Sequence, residues 1–385
     1  MHVLISALHR PSKPTGVCRH AANLARCLVD TAEITKVTLL IGAWQRHYFT
    51  TVFDLCSHKI DIISIDIKNS SLARNIWFWS GLPELADRLR PDLVHLSFPL
   101  PFRRSQFSCP VVATIHDLYP YEYPENFGKI QAFCNRLLLR QCIEQTDGLI
   151  CVSQTTLDRL KFFFPHRPVS KASPVKIQQK LSVVYNIVDF DEIEPKIPNL
   201  VEQRERVSFL LNVAQHRKNK NLDLLINAYA LLLETEQIDE AIELIIVGSH
   251  GPETANLIRQ IQDLKLTAKI HLLAAIDDRE LCWLYQHCQA FAIPSAIEGF
   301  CLPLAEAIHL SCQVVCSDIP IFREIGSSDC TYFALHGDPI QNLAAAILQT
   351  IQQPLQFIDR QSSRFSKKAI ASRYLQFYFD VLDRH

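Results

Sequence analysis

Two α/β domains, each a doubly wound parallel sheet, are what this chain of 385 residues predicts. Three observations carry the prediction. Short apolar runs alternate with amphipathic stretches from end to end, the pattern of β-α-β units with helices on both faces of a sheet. The alternation breaks once, in a polar, Pro-bearing stretch, and then resumes. The length suits two or three domains of roughly 100–200 residues each.

The first series of strands is Val3–Ala7, Val37–Ile41, Ile60–Ile65, Leu93–Leu96, Val111–Ile115 and Leu149–Val152. Each is a short, continuous apolar run, as expected of a strand buried on both faces. Between them lie the helical patterns Arg19–Val29, Leu72–Leu89 and Lys129–Gln145. Pro165 to Lys180 is polar and basic without a period and reads as an exposed loop, and Leu181–Val184 restores a strand. Asp189 to Arg206, charged and carrying Pro195 and Pro198, reads as an interdomain linker.

The second series has strands Val207–Val213, Leu244–Val247, Ile270–Leu273, Ala290–Ile293 and Val314–Cys316. The helices between them are Asn221–Leu233, Glu253–Leu264, Asp278–Cys288, Leu302–Leu310 and Asn342–Ile351. Arg364 to His385 is a last helix with spaced aromatics (Tyr374, Phe377, Tyr378). The expected organisation is therefore 1–195, 196–360 and a terminal helix, 361–385, packing back on the first domain. Two such domains joined by one linker leave a cleft between the C-terminal edges of their sheets, where open α/β sheets bind ligands.

Composition narrows the function. The chain is 48% hydrophobic and 21% charged, an ordinary profile with ample core material. A net charge of −1 gives no general attraction to nucleic acid or to anionic membrane, so no nucleic-acid partner is expected. Thirteen cysteines without a C-x-x-C pair read as buried, reduced thiols. The N-terminal run is too short for a signal peptide, and no run approaches the ~20 apolar residues of a spanning helix, so a cytoplasmic location is expected.

The densest chemistry lies in Pro294-Ser295-Ala296-Ile297-Glu298-Gly299-Phe300-Cys301-Leu302-Pro303-Leu304-Ala305-Glu306-Ala307. Glu298 follows a strand and Glu306 falls about two turns into the next helix. A strand, a tight turn and a helix N-terminus converge backbone N–H groups on an anion. A carboxylate on either side adds acceptors for hydroxyls. Phosphates and hydroxyls together describe a nucleotide sugar.

This run, followed by Val314-Val315-Cys316-Ser317-Asp318-Ile319-Pro320 and Arg323-Glu324, resembles the C-terminal signature of glycosyltransferase family 4, retaining enzymes of the GT-B fold. The resemblance extends over nearly the whole chain. Gly16 to Leu28 is similar to the family's first loop and helix, and Thr114-Ile115-His116-Asp117-Leu118 to its His-Asp motif. Cys151-Val152-Ser153 and Val184 to Asp189 are similar to the motifs that close the first domain, and Asn212 to Ala228 to the strand, loop and helix that open the second.

The resemblance implies roles. Glu298 contacts hydroxyls of the donor sugar and Glu306 the ribose. Phe300, Cys301 and Leu302 bring backbone N–H groups to the diphosphate. Lys220 and Arg217 stabilise the departing diphosphate, since fixed cations aimed at developing negative charge lower a barrier. His116 contacts the sugar near the reacting centre, Asp117 orients the turn, and Gly16 lets backbone approach donor phosphate or acceptor. The implied partners are a nucleoside-diphosphate sugar and a saccharide or lipid-linked acceptor. The implied reaction transfers a hexose with retention, without metal or cofactor. Three departures stand out: Cys301 replaces a usual Gly, Ala214 and Gln215 replace a usual Gly and Arg, and the loop at Gly16 has one glycine where relatives have two. These keep a non-catalytic sugar-nucleotide-binding subunit open, and a sugar phosphorylase or epimerase on the same fold is the other alternative.

Other features read more plainly. Asp189-Phe190-Asp191 has metal-motif spacing but lies at the linker, and no His, Cys or acidic cluster has the spacing of a metal site. His95 reads as a core residue. Gly248-Ser249-His250-Gly251 lacks the G-x-G-x-x-G spacing and reads as the start of a helix. Two aromatic-basic stretches, Ile76-Trp77-Phe78-Trp79 upstream of Arg88 and Arg90, and Arg159 to Phe164, read first as core and second as peripheral membrane contact.

Overall fold

The computed structural model describes residues 1–10, 15–124, 128–165, 181–190, 193–199, 208–274, 276–353 and 364–385. Most of the loop expected at Pro165 to Lys180, and much of the linker, lie outside the described residues. The chain divides into two compact units, Met1–Ile187 with Arg364–His385, and Val188–Ser363. The passage between units falls before 195 for a local reason. Asn186 is fixed to His20 in the first unit, at 2.8 Å, whereas Phe190 already packs edge-on against Tyr285 in the second.

In the first unit the strands are β1 (His2–Ser6), β2 (Lys36–Gly42), β3 (Ile60–Ile65), β4 (Leu93–Leu96), β5 (Val111–Ile115), β6 (Gly148–Cys151) and β7 (Leu181–Val183). They form one sheet in the order β3-β2-β1-β4-β5-β6-β7. Every pairing is parallel, with Val3 opposite Val37 on one side and Leu93 on the other. The helices are α1 (Gly16–Val29), α2 (Arg46–Thr51), α3 (Ser71–Leu89), α4 (Tyr119–Glu122), α5 (Lys129–Gln145) and α6 (Gln154–Phe163). The short helices α2 and α4 and helix α6 were absent from the sequence expectation.

Strand alternation sorts the core into two layers. Val3, Ile5, Leu93 and Val112 point to the side covered by α1. Leu4, Val94, Leu96 and Ala113 point to the side covered by α3, α5 and α6. The final helix of the chain, Lys367–Leu382, belongs to this unit. It is capped by Ser366 and packs on α1, burying Tyr374, Phe377 and Tyr378. It also holds His95: Nδ1 lies 2.5 Å from the Tyr378 hydroxyl and Nε2 lies 2.8 Å from Thr114 Oγ1.

In the second unit the strands are β8 (Ser208–Val213), β9 (Ile242–Val247), β10 (Ile270–Leu273), β11 (Ala290–Ile293), β12 (Val314–Ser317) and β13 (Cys330–Phe333). The sheet is parallel in the order β10-β9-β8-β11-β12-β13, a doubly wound arrangement with its reversal between β8 and β11. The helices are α7 (Leu222–Glu234), α8 (Thr254–Asp263), α9 (Asp278–His287), α10 (Leu302–His309), α11 (Pro320–Gly326) and α12 (Pro339–Ile351), which makes the terminal helix α13. Strand β13 and helix α11 escaped sequence reading because β13 is a half-buried edge strand without a continuous apolar run.

Candidate active site

Two loops at the C-terminal edge of the second sheet meet at its reversal. One follows β8 and runs from Ala214 to Asn221; the other follows β11 and runs from Pro294 to Cys301. Side-chain amides fasten them together. Asn221 Nδ2 donates to Pro294 O at 2.9 Å, Asn219 Nδ2 to Ile297 O at 3.4 Å, and the Ala296 N–H to Asn219 O at 2.9 Å. Asn221 takes a left-handed backbone (φ 48°), which asparagine tolerates better than most residues, and opens α7.

This fastening brings Lys220 onto Glu298. Their side chains form a direct ion pair, with 19% and 11% of each exposed. Burial pulls the Lys220 ammonium down, but the facing Glu298 carboxylate, with the nearby Cys301, outweighs it, and the net direction is up. Arg217 is exposed, and its positive charge acts in the opposite sense on Lys220.

Cys301 occupies the N-cap of α10 with φ 69° and ψ 77°, and no side chain caps this N-terminus. Position 301 is thus one where glycine is conformationally free and cysteine is strained. Leu302 is the first helical residue and Pro303 the second, so the missing N–H of Pro303 falls where helices have no partner for it. Phe300 is buried, and burial pushes the Cys301 thiol well above its usual range, helped by Glu298. Glu306 sits in the second turn of α10, only 6% exposed. Tyr285 of α9 donates its hydroxyl to Glu306 Oε2 at 3.0 Å, and burial together with that carboxylate raises the Tyr285 phenol well above 10.

The glycine turn after β9 does more than precede a helix. A Cβ on Gly248 would stand 1.9 Å from Ala214 O, and one on Gly251 would stand 2.3 Å from His216 O. The two loops can lie this close only because both positions are glycine. Gln215, at the usual Arg position, brings its Cγ against Gly251. Beneath it, His216 is fully buried with Nδ1 3.0 Å from Thr254 Oγ1.

In the first unit, His116 follows β5 and its Nε2 donates to Ser97 O at 2.8 Å, which leaves Nδ1 as the unprotonated nitrogen. Burial lowers its pKa, so it is neutral near pH 7. The ring meets His20 of α1 edge-on, with centroids 4.7 Å apart. Asp117 Oδ1 accepts the Tyr119 N–H at 3.1 Å and so fixes the turn into α4. Gly16 begins α1 behind the N-cap Thr15, and a Cβ there would meet nothing within 4 Å. Among the described residues, neither crowding nor backbone conformation demands glycine at Gly16.

The structure therefore joins Lys220, Glu298, Cys301 and Glu306 in the second unit, with Arg217 at their margin, and places His116, Asp117 and Gly16 in the first. Tyr285, Asn219 and Asn221 were not singled out from sequence. Asn221 carried a local signal, an Asn just before an apolar helical run. Tyr285 carried none, since its role depends on α9 lying beside α10. Asp191 lies outside the described residues, and Phe190 beside it is a core residue.

A helix N-terminus without a side-chain cap, flanked by carboxylates at the reversal of a doubly wound sheet, is suited to phosphate and hydroxyl groups. Residues 194–371 match the family described as Glycosyl transferases group 1, and residues 14–192 match Glycosyltransferase Family 4. The chain belongs to the group 1 glycosyltransferases and has the GT-B fold.

Among curated relatives, the O-antigen chain mannosyltransferase RfbU of Salmonella typhimurium is 26% identical over 345 residues, covering 88% of each chain. A Campylobacter jejuni N-acetylgalactosamine-N,N'-diacetylbacillosaminyl-diphospho-undecaprenol 4-alpha-N-acetylgalactosaminyltransferase is 34% identical over 191 residues, 50% of this chain and 47% of that protein. Among solved structures, Anabaena HepE in complex with UDP and glucose superposes with a TM-score of 0.66 at 18% identity, covering 100% of this chain and 99% of HepE. WaaG, a glycosyltransferase involved in lipopolysaccharide biosynthesis, gives 0.67 at 16% identity, covering 99% and 98%.

Proposed function

We propose that this glycosyltransferase moves a hexose from a UDP- or GDP-linked sugar to a hydroxyl of a saccharide or lipid-linked acceptor, with retention, during assembly of a surface polysaccharide. The relatives named for O-antigen chains and for an undecaprenol-linked saccharide support the acceptor class. Several are mannosyltransferases, which makes mannose the first sugar to test. The proposed place of action is the cytoplasm, at the inner face of a membrane where the acceptor is lipid-linked.

One observation carries the reading: the Lys220–Glu298 pair set beside the uncapped N-terminus of α10, with Glu306 held by Tyr285 a turn further on. A diphosphate seated there faces an ammonium and the positive end of a helix. Lys220 and Arg217 then stabilise charge as the bond between the anomeric carbon and the phosphate oxygen breaks. The acceptor oxygen bonds to the same face of that carbon, and its proton passes to the departing phosphate. Glu298, released from Lys220 by the incoming phosphate, accepts hydroxyls of the sugar, and Glu306 accepts those of the ribose. Neutral His116 offers Nδ1 as a further hydroxyl acceptor. The scheme assigns no metal and no cofactor beside the donor.

The test has two stages. Thermal shift against UDP, GDP and their hexose conjugates identifies the donor, because a ligand that binds only the native state raises its stability. Transfer to saccharide acceptors is then measured for the wild type, Glu298→Ala and Lys220→Ala. Each variant should stay folded and lose at least ~100-fold in turnover, the scale of removing one stabilising donor. Retained turnover in both would sink the site assignment. Epimer or sugar phosphate as the product would replace the transferase reading.

A further inference from the structure

Arg74 is a guanidinium buried without a counter-charge. It stands near the start of α3, and only 8% of it is exposed. Arginine is rarely buried unless it is paired, because an uncompensated charge in the interior is costly. Here the guanidinium donates to Asn69 Oδ1 and, at 3.2 Å, to Ser71 Oγ, both neutral. Part of its fork of N–H donors is left unused. No carboxylate among the described residues pairs with it.

A second cation is held beside it. Asn69, which accepts from Arg74, donates through Nδ2 to Arg10 O at 3.0 Å. The turn that carries Arg10 is fixed twice more. The His9 N–H donates to Gln45 Oε1 at 3.0 Å, and Trp44 Nε1 donates to His9 O at 3.0 Å. Arg10 is exposed; burial, and after it the Arg10 charge, lower the Arg74 pKa. The N-terminal end of α3 adds a partial charge of the same sign.

The nearby sequence has little to neutralise this charge. No Asp or Glu occurs from Met1 to Val29 or from Ile67 to Pro83, and Asp66, the nearest before α3, is exposed. The segments involved follow β1, β2 and β3, so the two arginines belong to the C-terminal edge of the first sheet, where open sheets bind ligands. His9 connects them to His116, since the charges of Arg74 and His116 both act on it. Its Nδ1 is buried and has no hydrogen-bond partner among the described residues.

We propose that Arg74 and Arg10 bind a phosphate group, and that this is the phosphate through which a lipid carries the acceptor saccharide. A planar guanidinium can give a phosphate two parallel N–H bonds, and a second cation suits its second charge. Assigning the group to the acceptor rests on the transferase reading; the phosphate site does not.

Binding is measured first, without turnover. Pyrophosphate at constant ionic strength should raise the thermal midpoint of the full chain, both in the wild type and in Lys220→Ala, where the proposed donor site is impaired. Its dissociation constant should weaken at least about tenfold in Arg74→Met and about threefold in Arg10→Gln. Arg10 is exposed, so the second variant reports even if the first unfolds. A shift that disappears in Lys220→Ala, or that is unchanged in either folded arginine variant, would overturn the site.

Transfer is then compared between a saccharide on an isoprenyl diphosphate and the same saccharide as an uncharged alkyl glycoside. The arginine variants should raise KM for the diphosphate acceptor by the same factors, with kcat changed little, and leave KM for the glycoside unchanged. Equal effects on both acceptors would make the ligand free phosphate and refute its assignment to the acceptor. If neither acceptor is turned over while pyrophosphate still binds through the arginines, the transferase reading falls and the phosphate site stands.

Discussion

Cys301 puts a side chain on a backbone that glycine would occupy without cost. Its φ of 69° is in the left-handed region, where Cβ crowds the following carbonyl and costs an L residue about 1–2 kcal/mol. Replacing it by alanine keeps that strain and removes only the thiol; replacing it by glycine removes both. Cys301→Gly should therefore be more stable than Cys301→Ala by about 1 kcal/mol, measured by denaturant unfolding. Equal stabilities would mean that the turn relaxes without the side chain. The sequence marked this position because a glycine was expected there, but only the structure supplies the angle. Lys220 and Glu298 teach the complementary lesson. Each was legible alone, yet their pairing depends on two asparagines that staple the loops. Removing either charge leaves its partner half-buried, so Lys220→Gln and Glu298→Gln should each cost about 1–3 kcal/mol, after allowance for the exposed part of the pair. The sign with pH follows from the raised Lys220 ammonium. Its contribution is fully present below the ordinary 10.5 and is lost only as pH climbs through the higher folded value. Thermal unfolding near neutral pH is the measurement, and an unchanged midpoint in both variants would show that the pair contributes nothing.

Elements were read from the sequence wherever one apolar run made one strand, because a strand buried on both faces leaves a short, unbroken hydrophobic string. The edge strand Cys330–Phe333 and the short helix Pro320–Gly326 escaped because neither has a run or a period long enough to register. Helix α10 shows what lies beyond local pattern. Its second-turn glutamate was legible, but the orientation of that glutamate is set by α9, twenty-one positions earlier in the chain at Tyr285. Tyr285 holds one oxygen of this buried carboxylate, and that should help orient the group for a diol. Tyr285→Phe preserves the packing of the ring and removes only the hydroxyl. The expected result is a donor KM raised about tenfold with kcat changed little, the pattern of lost uniform binding. A fall in kcat at unchanged KM would place Tyr285 in a different role. Rescue is not expected from Tyr285→Leu, which also empties the space between Phe190 and Phe291.

At the scale of the whole molecule, the alternation of apolar runs predicted two sheets and composition an ordinary acid–base balance, but neither showed where the histidines lie. In the first unit four resist protonation, His20 and His95 buried and His9 and His116 partly buried. Burial lowers His9 to about 4 and His95 to about 3, with Arg74 and His116 adding to the effect at His9 and His116 at His95. Burial and the charge of His116 hold His20 well below 6.5, and burial lowers His116 itself. Unfolded, all four titrate near 6.5. Below that pH the unfolded chain binds more protons than the folded one, so stability rises with pH and is lost on acidification. Each histidine still neutral in the fold contributes a slope of ~1.4 kcal/mol per pH unit, which for His9 persists from 6.5 down to about 4. Three of the four tryptophans, Trp44, Trp77 and Trp79, belong to this unit, and Trp283 alone belongs to the other. In a Trp283→Phe background, fluorescence therefore reports on the first unit. Urea unfolding followed this way should show a midpoint nearly level near pH 7.5 that falls as pH drops through about 6.5 toward 5. His9→Asn should reduce that slope by one histidine's share while leaving the unfolding free energy at pH 7.5 within about 1–2 kcal/mol of wild type. A midpoint flat across the range would mean that these rings take up protons in the folded state, and His116 would then carry a positive charge rather than a free Nδ1 lone pair at the acidic end of the enzyme's range.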